Sequence, residues 1–143
     1  MVGSSHGQFS PDARRSKGIA AYARQFVVPE EDVPEVLAGM IGPTLSEEAL
    51  QAAGGAAWWH PALSARDRSV AVISALVSQG GVEARLRSHV RLALREGLTE
   101  DALVALIALL AVYVGFPRAS VAIELIREEC AATAETASTN VVT

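Results

Sequence analysis

Apolar residues recur along this chain at intervals of three and four, with charged and small polar positions between them, and that spacing predicts helices. Ser10 followed by Pro11 reads as an N-cap with proline at the first helical position, and Ile19, Tyr22, Ala23, Phe26 and Val27 then share a face. Val33, Val36, Leu37 and Met40 predict a short second helix, with Pro34 in its first turn and Gly39 and Gly42 near its end. Ser46 is expected to cap a third, which closes at Gly54 and Gly55. Pro61 interrupts the chain, and Ser64 with Asp67 three residues later reads as a capping-box-like start for a helix carrying Val70, Ile73, Ala75, Leu76 and Val77 to Gly80 and Gly81. Val82, Leu86, His89, Val90 and Ala93 share one face of the next helix, which stops at Gly97. Thr99 caps the one after it, halted by Gly115 and Pro117, and a last helix turns Val121, Leu125 and Ile126 inward and Glu124, Arg127 and Glu128 outward. No stretch shows the alternation of a half-buried strand.

One segment, ALVALIALLAVYVG, holds fourteen residues without a charge. Crossing a membrane takes ~20 consecutive apolar residues, and this run is bounded by Glu100 and Asp101 on one side and Arg118 on the other, so a buried helix is expected and no membrane partner. Half of the 143 residues are apolar but only 5% are aromatic, with Ala, Val and Leu dominant, which suits closely packed helices: the fold class is all-α. The length suits one domain with one core, expected over residues 10–132 between flexible ends at 1–9 and 133–143. The net charge of −4 sits on a mixed surface without a basic block, which argues against nucleic acid as a partner. A lone cysteine, Cys130, can form no internal disulfide and fits a reducing compartment. The opening MVGSSHGQFSPDARR lacks the apolar stretch of a secretory leader, so a cytoplasmic protein is expected.

There is no phosphate loop, CxxC, HExxH or GxSxG, and the glycine loops and ligand clusters that nucleotides, flavins and metals require are missing, so no cofactor is expected. What remains is a constellation. Arg85 and His89 stand four apart on one helix and are neighbours on its surface. A guanidinium beside an imidazole disfavours its protonated form, which would leave His89 neutral, as a general base requires; the plainer alternative is a hydrogen-bonded core histidine beside a solvated arginine. The WWHP loop sets Trp58, Trp59 and His60 just before a helix, as a ligand wall or as a plug closing the core. Tyr113 brings a phenol into the uncharged helix, where a buried hydroxyl needs a backbone or substrate partner. Cys130 has no histidine near it in sequence to activate it.

Four blocks in order, W-x-x-P-x-L-x-x-x-x-R-S from Trp58 to Ser69, L-x-x-H-x-R from Leu86 to Arg91, GLTED from Gly97 to Asp101, and AVYVGFP from Ala111 to Pro117, resemble the carboxymuconolactone decarboxylase family, within the alkylhydroperoxidase-D-like superfamily. The resemblance covers residues 50–128 and implies a compact all-helical subunit that assembles as a trimer or hexamer, with active sites near subunit contacts. The founding enzymes of the family remove carbon dioxide from a carboxylated butenolide, and relatives with CxxC reduce peroxides; this chain has no CxxC. His89, Arg68, Tyr113 and Trp58 match the family pattern, whereas Arg85 and Ala105 stand where it has glutamates and Leu109 where it has a histidine.

The resemblance and the residues together imply an apolar chamber, walled in part by Leu109, with Arg85 to hold an anion and His89 to move a proton. Trp58, His60, Arg68, Tyr113 and Leu109 are the candidate substrate contacts. The expected activity is cofactor-free decarboxylation, isomerisation, dehydration or cyclisation of a hydrophobic anionic small molecule, of the sort a specialised biosynthetic pathway produces. The alternative is a non-catalytic binding or assembly subunit.

Overall fold

The structure is a computed structural model and describes residues 10–139. The expected flexible N-terminus and residues 140–143 lie outside the described residues. Where the sequence reading places one domain over 10–132, the chain divides into two compact units, residues 1–63 and 64–143, and each has a buried apolar cluster. Every regular element among the described residues is helical.

The first unit contains α1 (Pro11–Phe26), a 3-10 turn (Glu30–Asp32), α2 (Val33–Ile41) and α3 (Pro43–Ala53). Ser10 Oγ accepts the Ala13 N–H at 3.3 Å, so the first cap forms as its sequence predicts. Val27 closes α1 in the left-handed region at φ +58° and is 71% exposed, rather than joining the buried face. Val33, Leu37 and Leu50 form the core, with Ile19, Tyr22 and Phe26 packed against it, while Val36 and Met40 stay at the surface. Ser46 does not cap α3. Pro43, whose fixed φ suits the first helical position and which has no N–H to satisfy, starts that helix behind Gly42, leaving Ser46 buried inside it.

α1 and α3 come unusually close. A Cβ on Gly18 would lie 1.9 Å from the carbonyl oxygen of Leu50, and one on Gly54 would lie 1.6 Å from that of Arg14, so the two backbones touch where only glycine fits.

The second unit contains α4 (Ala65–Gln79), α5 (Glu83–Arg95), α6 (Glu100–Val114) and α7 (Phe116–Thr139). Ser64 Oγ accepts the Asp67 N–H at 3.1 Å while the Asp67 carboxylate accepts the Ser64 N–H at 3.0 Å, completing the capping box. Thr99 Oγ1 caps α6 by accepting the Ala102 N–H. Ile73, Val77, Leu86, Val90, Leu103, Ile107, Leu125 and Ile126 share one core. α4 packs on α5, α6 and α7, and α7 packs on α5 and α6. Gly115, at φ +90°, is the single residue between α6 and α7, and Phe116 and Pro117 open the last helix. That helix continues to Thr139, past Ala132 where the sequence reading expects loose chain, because small and polar residues in this stretch include no glycine or proline to stop it. Val121, expected inward, is 46% exposed.

One buried carboxylate joins α5 to α7. Glu129, 6% exposed, accepts from Arg91 Nε at 2.5 Å and from Arg87 Nη1 at 3.0 Å, while Glu128 accepts from Arg87 Nη2 at 2.7 Å. The bond from Arg91, then that from Arg87, holds the Glu129 carboxyl below its ordinary value against the opposing effect of burial.

Two stability outcomes follow from these contacts. Gly18→Ala lowers the unfolding free energy by about 1–3 kcal/mol or more, because the added methyl meets fixed backbone, whereas Gly39→Ala, in a helix and facing open space, raises it by about 0.5–1 kcal/mol. Urea melts of the two variants check the contrast, and equal effects would contradict it. Glu129→Gln costs about 1–3 kcal/mol, the scale of a charged hydrogen bond, with the outward exposure of both arginines keeping the loss at the modest end. The same melts, run at neutral pH, measure it.

Candidate functional site

Successive residues of a helix step by about 100°, so α5 presents its buried residues Leu86, Val90 and Ala93 as one stripe with different neighbours on each side. Arg87 and Arg91 flank the stripe on the side clamped by Glu129. Arg85 and His89 flank it on the other side, one turn apart.

The His89 side chain is half-buried, and burial holds its imidazole below the ordinary value, favouring the neutral ring. The direction agrees with the sequence reading, but its leading cause is loss of water around the ring rather than the Arg85 guanidinium, which is exposed. The carbonyl of Arg85 accepts from Ser88 Oγ at 2.9 Å. Among the described residues, no hydrogen bond or ion pair engages the Arg85 guanidinium. A half-buried imidazole favoured in its neutral form thus stands one turn from an exposed guanidinium.

The other predicted contacts fall elsewhere. Leu109 and Tyr113 are one turn apart on α6 and are 61% and 81% exposed, so the Tyr113 hydroxyl is not buried in the subunit. α5 and α6 are not among the closely packed helix pairs. Arg68 lies near the start of α4, half-buried, where its charge helps lower the pKa of Asp67 behind the capping bonds from Ser64. Trp58 and His60 belong to the first unit. There the Trp59 indole donates to the carbonyl of Ala53 at 2.8 Å, and His60 Nδ1 accepts the Ala62 N–H at 3.2 Å, so the WWHP segment is braced by the end of α3 and by the residue that follows it. Trp58 is half-buried and His60 exposed. Helical spacing thus sets Arg85 beside His89 on α5 and Leu109 beside Tyr113 on α6, as two separate pairs.

Three features escape the sequence reading. One is the Glu129 clamp, whose partners lie about forty positions away in the chain. The second is the surface of α6. Because the helix carries no charge after Glu100 and Asp101, its periodicity does not mark an outer face, yet Leu109, Val112, Tyr113 and the adjacent Phe116 all lie at least 61% exposed. A hollow of about 440 Å³, lined by Ala108, Ala111, Phe116, Pro117 and Ile123 among others, adjoins this surface. The third is a groove of about 280 Å³ bounded by the end of α4, the start of α5 and the first half of α7. Neither cavity is lined by Arg85, His89 or Tyr113.

The Cys130 thiol is pushed up, first by burial and then by the negative charges of Glu100 and Glu129, which keeps it from being a ready nucleophile. Among the described residues no group of three or more His, Cys, Asp or Glu is placed to hold a metal ion, and no helix is long and apolar enough to cross a membrane.

The family model described as "Carboxymuconolactone decarboxylase family" matches residues 45–128, a stretch that begins inside α3 and takes in α4, α5, α6 and the first half of α7. No curated protein matches the chain. The matched stretch contains all four sequence blocks and the whole helical frame that carries Arg85, His89, Leu109 and Tyr113, and it spans more than half of the residues: the chain belongs to the carboxymuconolactone decarboxylase family.

Proposed function

We propose that this protein is an acid–base enzyme that binds a hydrophobic small molecule bearing a carboxylate, enol or phenolate, with Arg85 on the anion and His89 as the proton carrier. The observation that carries the reading is the pairing on α5: a half-buried imidazole favoured in its neutral form, one turn from a guanidinium with no partner among the described residues. An arginine beside a developing negative charge stabilises an enolate or carbanion-like transition state, and a neutral imidazole is the state that removes or returns the proton. Decarboxylation, isomerisation, dehydration and cyclisation next to a carbonyl can all pass through such a charge, and none of them needs a redox partner.

The residues of the uncharged helix support an assembly. Leu109, Val112, Tyr113 and Phe116 form an apolar surface on a single subunit, and covering it with a second copy would stabilise the chain at about 25 cal/mol per Å² of apolar area removed from water. Such a contact would enclose Leu109 and Tyr113 at a subunit boundary, consistent with the chamber that the family resemblance implies. The same surface also favours a second reading, in which the protein is a binding or assembly subunit without turnover.

One measurement tests the assembly and a second separates the two readings. Light scattering after size exclusion is expected to give a trimer or hexamer for the native chain and smaller species for Leu109→Glu and Tyr113→Glu; a monodisperse native monomer at micromolar concentration sinks the assembly. Deuterium incorporation at acidic carbon positions, followed by NMR across a panel of lipophilic β-keto acids and butenolide carboxylates in heavy water, tests the chemistry without requiring the natural product. There His89→Ala is expected to cost on the order of 10²- to 10⁴-fold in rate, and Arg85→Ala about ten- to a hundredfold in kcat/KM, with melting curves little changed. Exchange that is absent from every panel member, or indifferent to both changes, favours the non-catalytic subunit.

The pH dependence carries its own sign. Because the folded state lowers the His89 pKa, the unfolded chain binds more protons below about pH 6.5, so the associated stability is present above that value and is lost as pH falls toward the folded pKa. Urea midpoints at pH 7.5 and 5.5 are expected to fall further for the native protein than for His89→Gln. Equal falls would mean that the imidazole is not held neutral.

A further inference from the structure

The groove of about 280 Å³ in the second unit has mostly apolar walls, among them Leu76, Val77, Leu86, Val121 and Ala122, and just one cation, Arg118, reaches it. Its volume is near the lower end of small-molecule sites, which run to about 300–1,000 Å³. We propose that this groove binds a small amphiphile, a hydrocarbon chain or ring ending in a carboxylate, with the hydrocarbon along the apolar walls and the carboxylate on Arg118. The site is separate from the Arg85 and His89 pair and does not depend on catalysis there.

Arg118 is held in place for this. Its Nη1 donates to the carbonyl of Ser78, the last-turn carbonyl of α4 that the helix itself cannot satisfy, and its Nε lies 3.1 Å from where a Cβ on Gly80 would be. Gly80 turns at φ +69°, so glycine both makes the turn and leaves room for the Arg118 side chain beside it. One of the five N–H groups is thus used for tethering, and no ion pair among the described residues takes the others. A tethered guanidinium loses less side-chain freedom on meeting a carboxylate than a loose one does.

Glu83 also lines the groove and opposes an anion. Its place is explained by the helix: it stands in the first turn of α5, where Val82 supplies no side-chain cap and a negative charge complements the helix dipole. Both side chains are exposed and screened by water, but Glu83 makes no side-chain contact that fixes it over the groove, whereas Arg118 is tethered at the wall by Ser78.

Isothermal titration of the full chain with octanoate and with octan-1-ol, at low salt, tests the proposal. Both are expected to bind, with octanoate at least about tenfold tighter, the scale of one charge-assisted contact. Arg118→Gln should remove that difference and leave octan-1-ol binding unchanged. Val121→Trp, at a half-exposed position where a ring fills the groove without disturbing the core, should abolish binding of both. Glu83→Gln, a surface change that leaves the fold alone, should tighten octanoate about two- to fivefold and so keeps the test open if Arg118→Gln unfolds. Equal affinity for acid and alcohol, or octanoate binding indifferent to Arg118→Gln and Glu83→Gln, overturns the carboxylate site. Absence of binding together with a change of oligomer mass in Val121→Trp overturns it as well, and assigns the groove to a second copy of the chain.

Discussion

The buried carboxylate of Glu129 decides which way α5 faces. A helix can roll about its axis while keeping an apolar stripe roughly inward, since Leu86, Val90 and Ala93 constrain the rotation only loosely. Two arginines one turn apart, both bound to the same nearly water-free carboxylate, remove that freedom, because any roll would strand a charge in the interior. Arg85 and His89 occupy the opposite flank of the same stripe, so their position is set by a contact that neither of them makes. The half-burial of His89, and with it the neutral ring, follows from that rotation.

The family resemblance gives the proposed site its contrast. Where the resemblance leads one to expect a glutamate beside the histidine, Arg85 supplies a cation, and where it leads one to expect a second imidazole, Leu109 supplies hydrocarbon. A carboxylate and an imidazole can pass a proton between them; a guanidinium at pH 7 can only hold an anion. The proposed division of labour, with proton transfer on His89 and anion binding on Arg85, is the chemistry that those residues leave available.

Local signals in the sequence proved readable and distant ones did not. Ser10, the Ser64 and Asp67 pair, and Thr99 mark helix starts because a cap and its partner lie within three residues of each other. Ser46 misleads because serine caps helices only where nothing better precedes it, and Pro43 does. In α6 the absence of charge gave no way to tell Ile107, which is fully buried, from Val112, which is 78% exposed. Glu129 reads as one more solvated acid in an REEC run until the packing of α7 on α5 brings two arginines to it. For the candidate site, the spacing of Arg85 and His89 was legible, and the cause of the neutral ring was not, since burial is a property of the whole unit. Tyr113 carried the opposite error: its place in an apolar run implied an interior that the subunit alone does not give it.

The single-residue link at Gly115 bears on the order in which the second unit assembles. Closing a loop costs entropy that grows with its length, and here the loop between two long helices is as short as a connection can be. α6 and α7 can therefore pair before any contact distant in sequence has formed, and their hairpin is the natural nucleus onto which α4 and α5 condense. On a ribosome α4 and α5 emerge before that hairpin. α4 and α5 can pack only on each other until it follows, so the apolar surface they later bury against α6 and α7 stays open to aggregation for that interval.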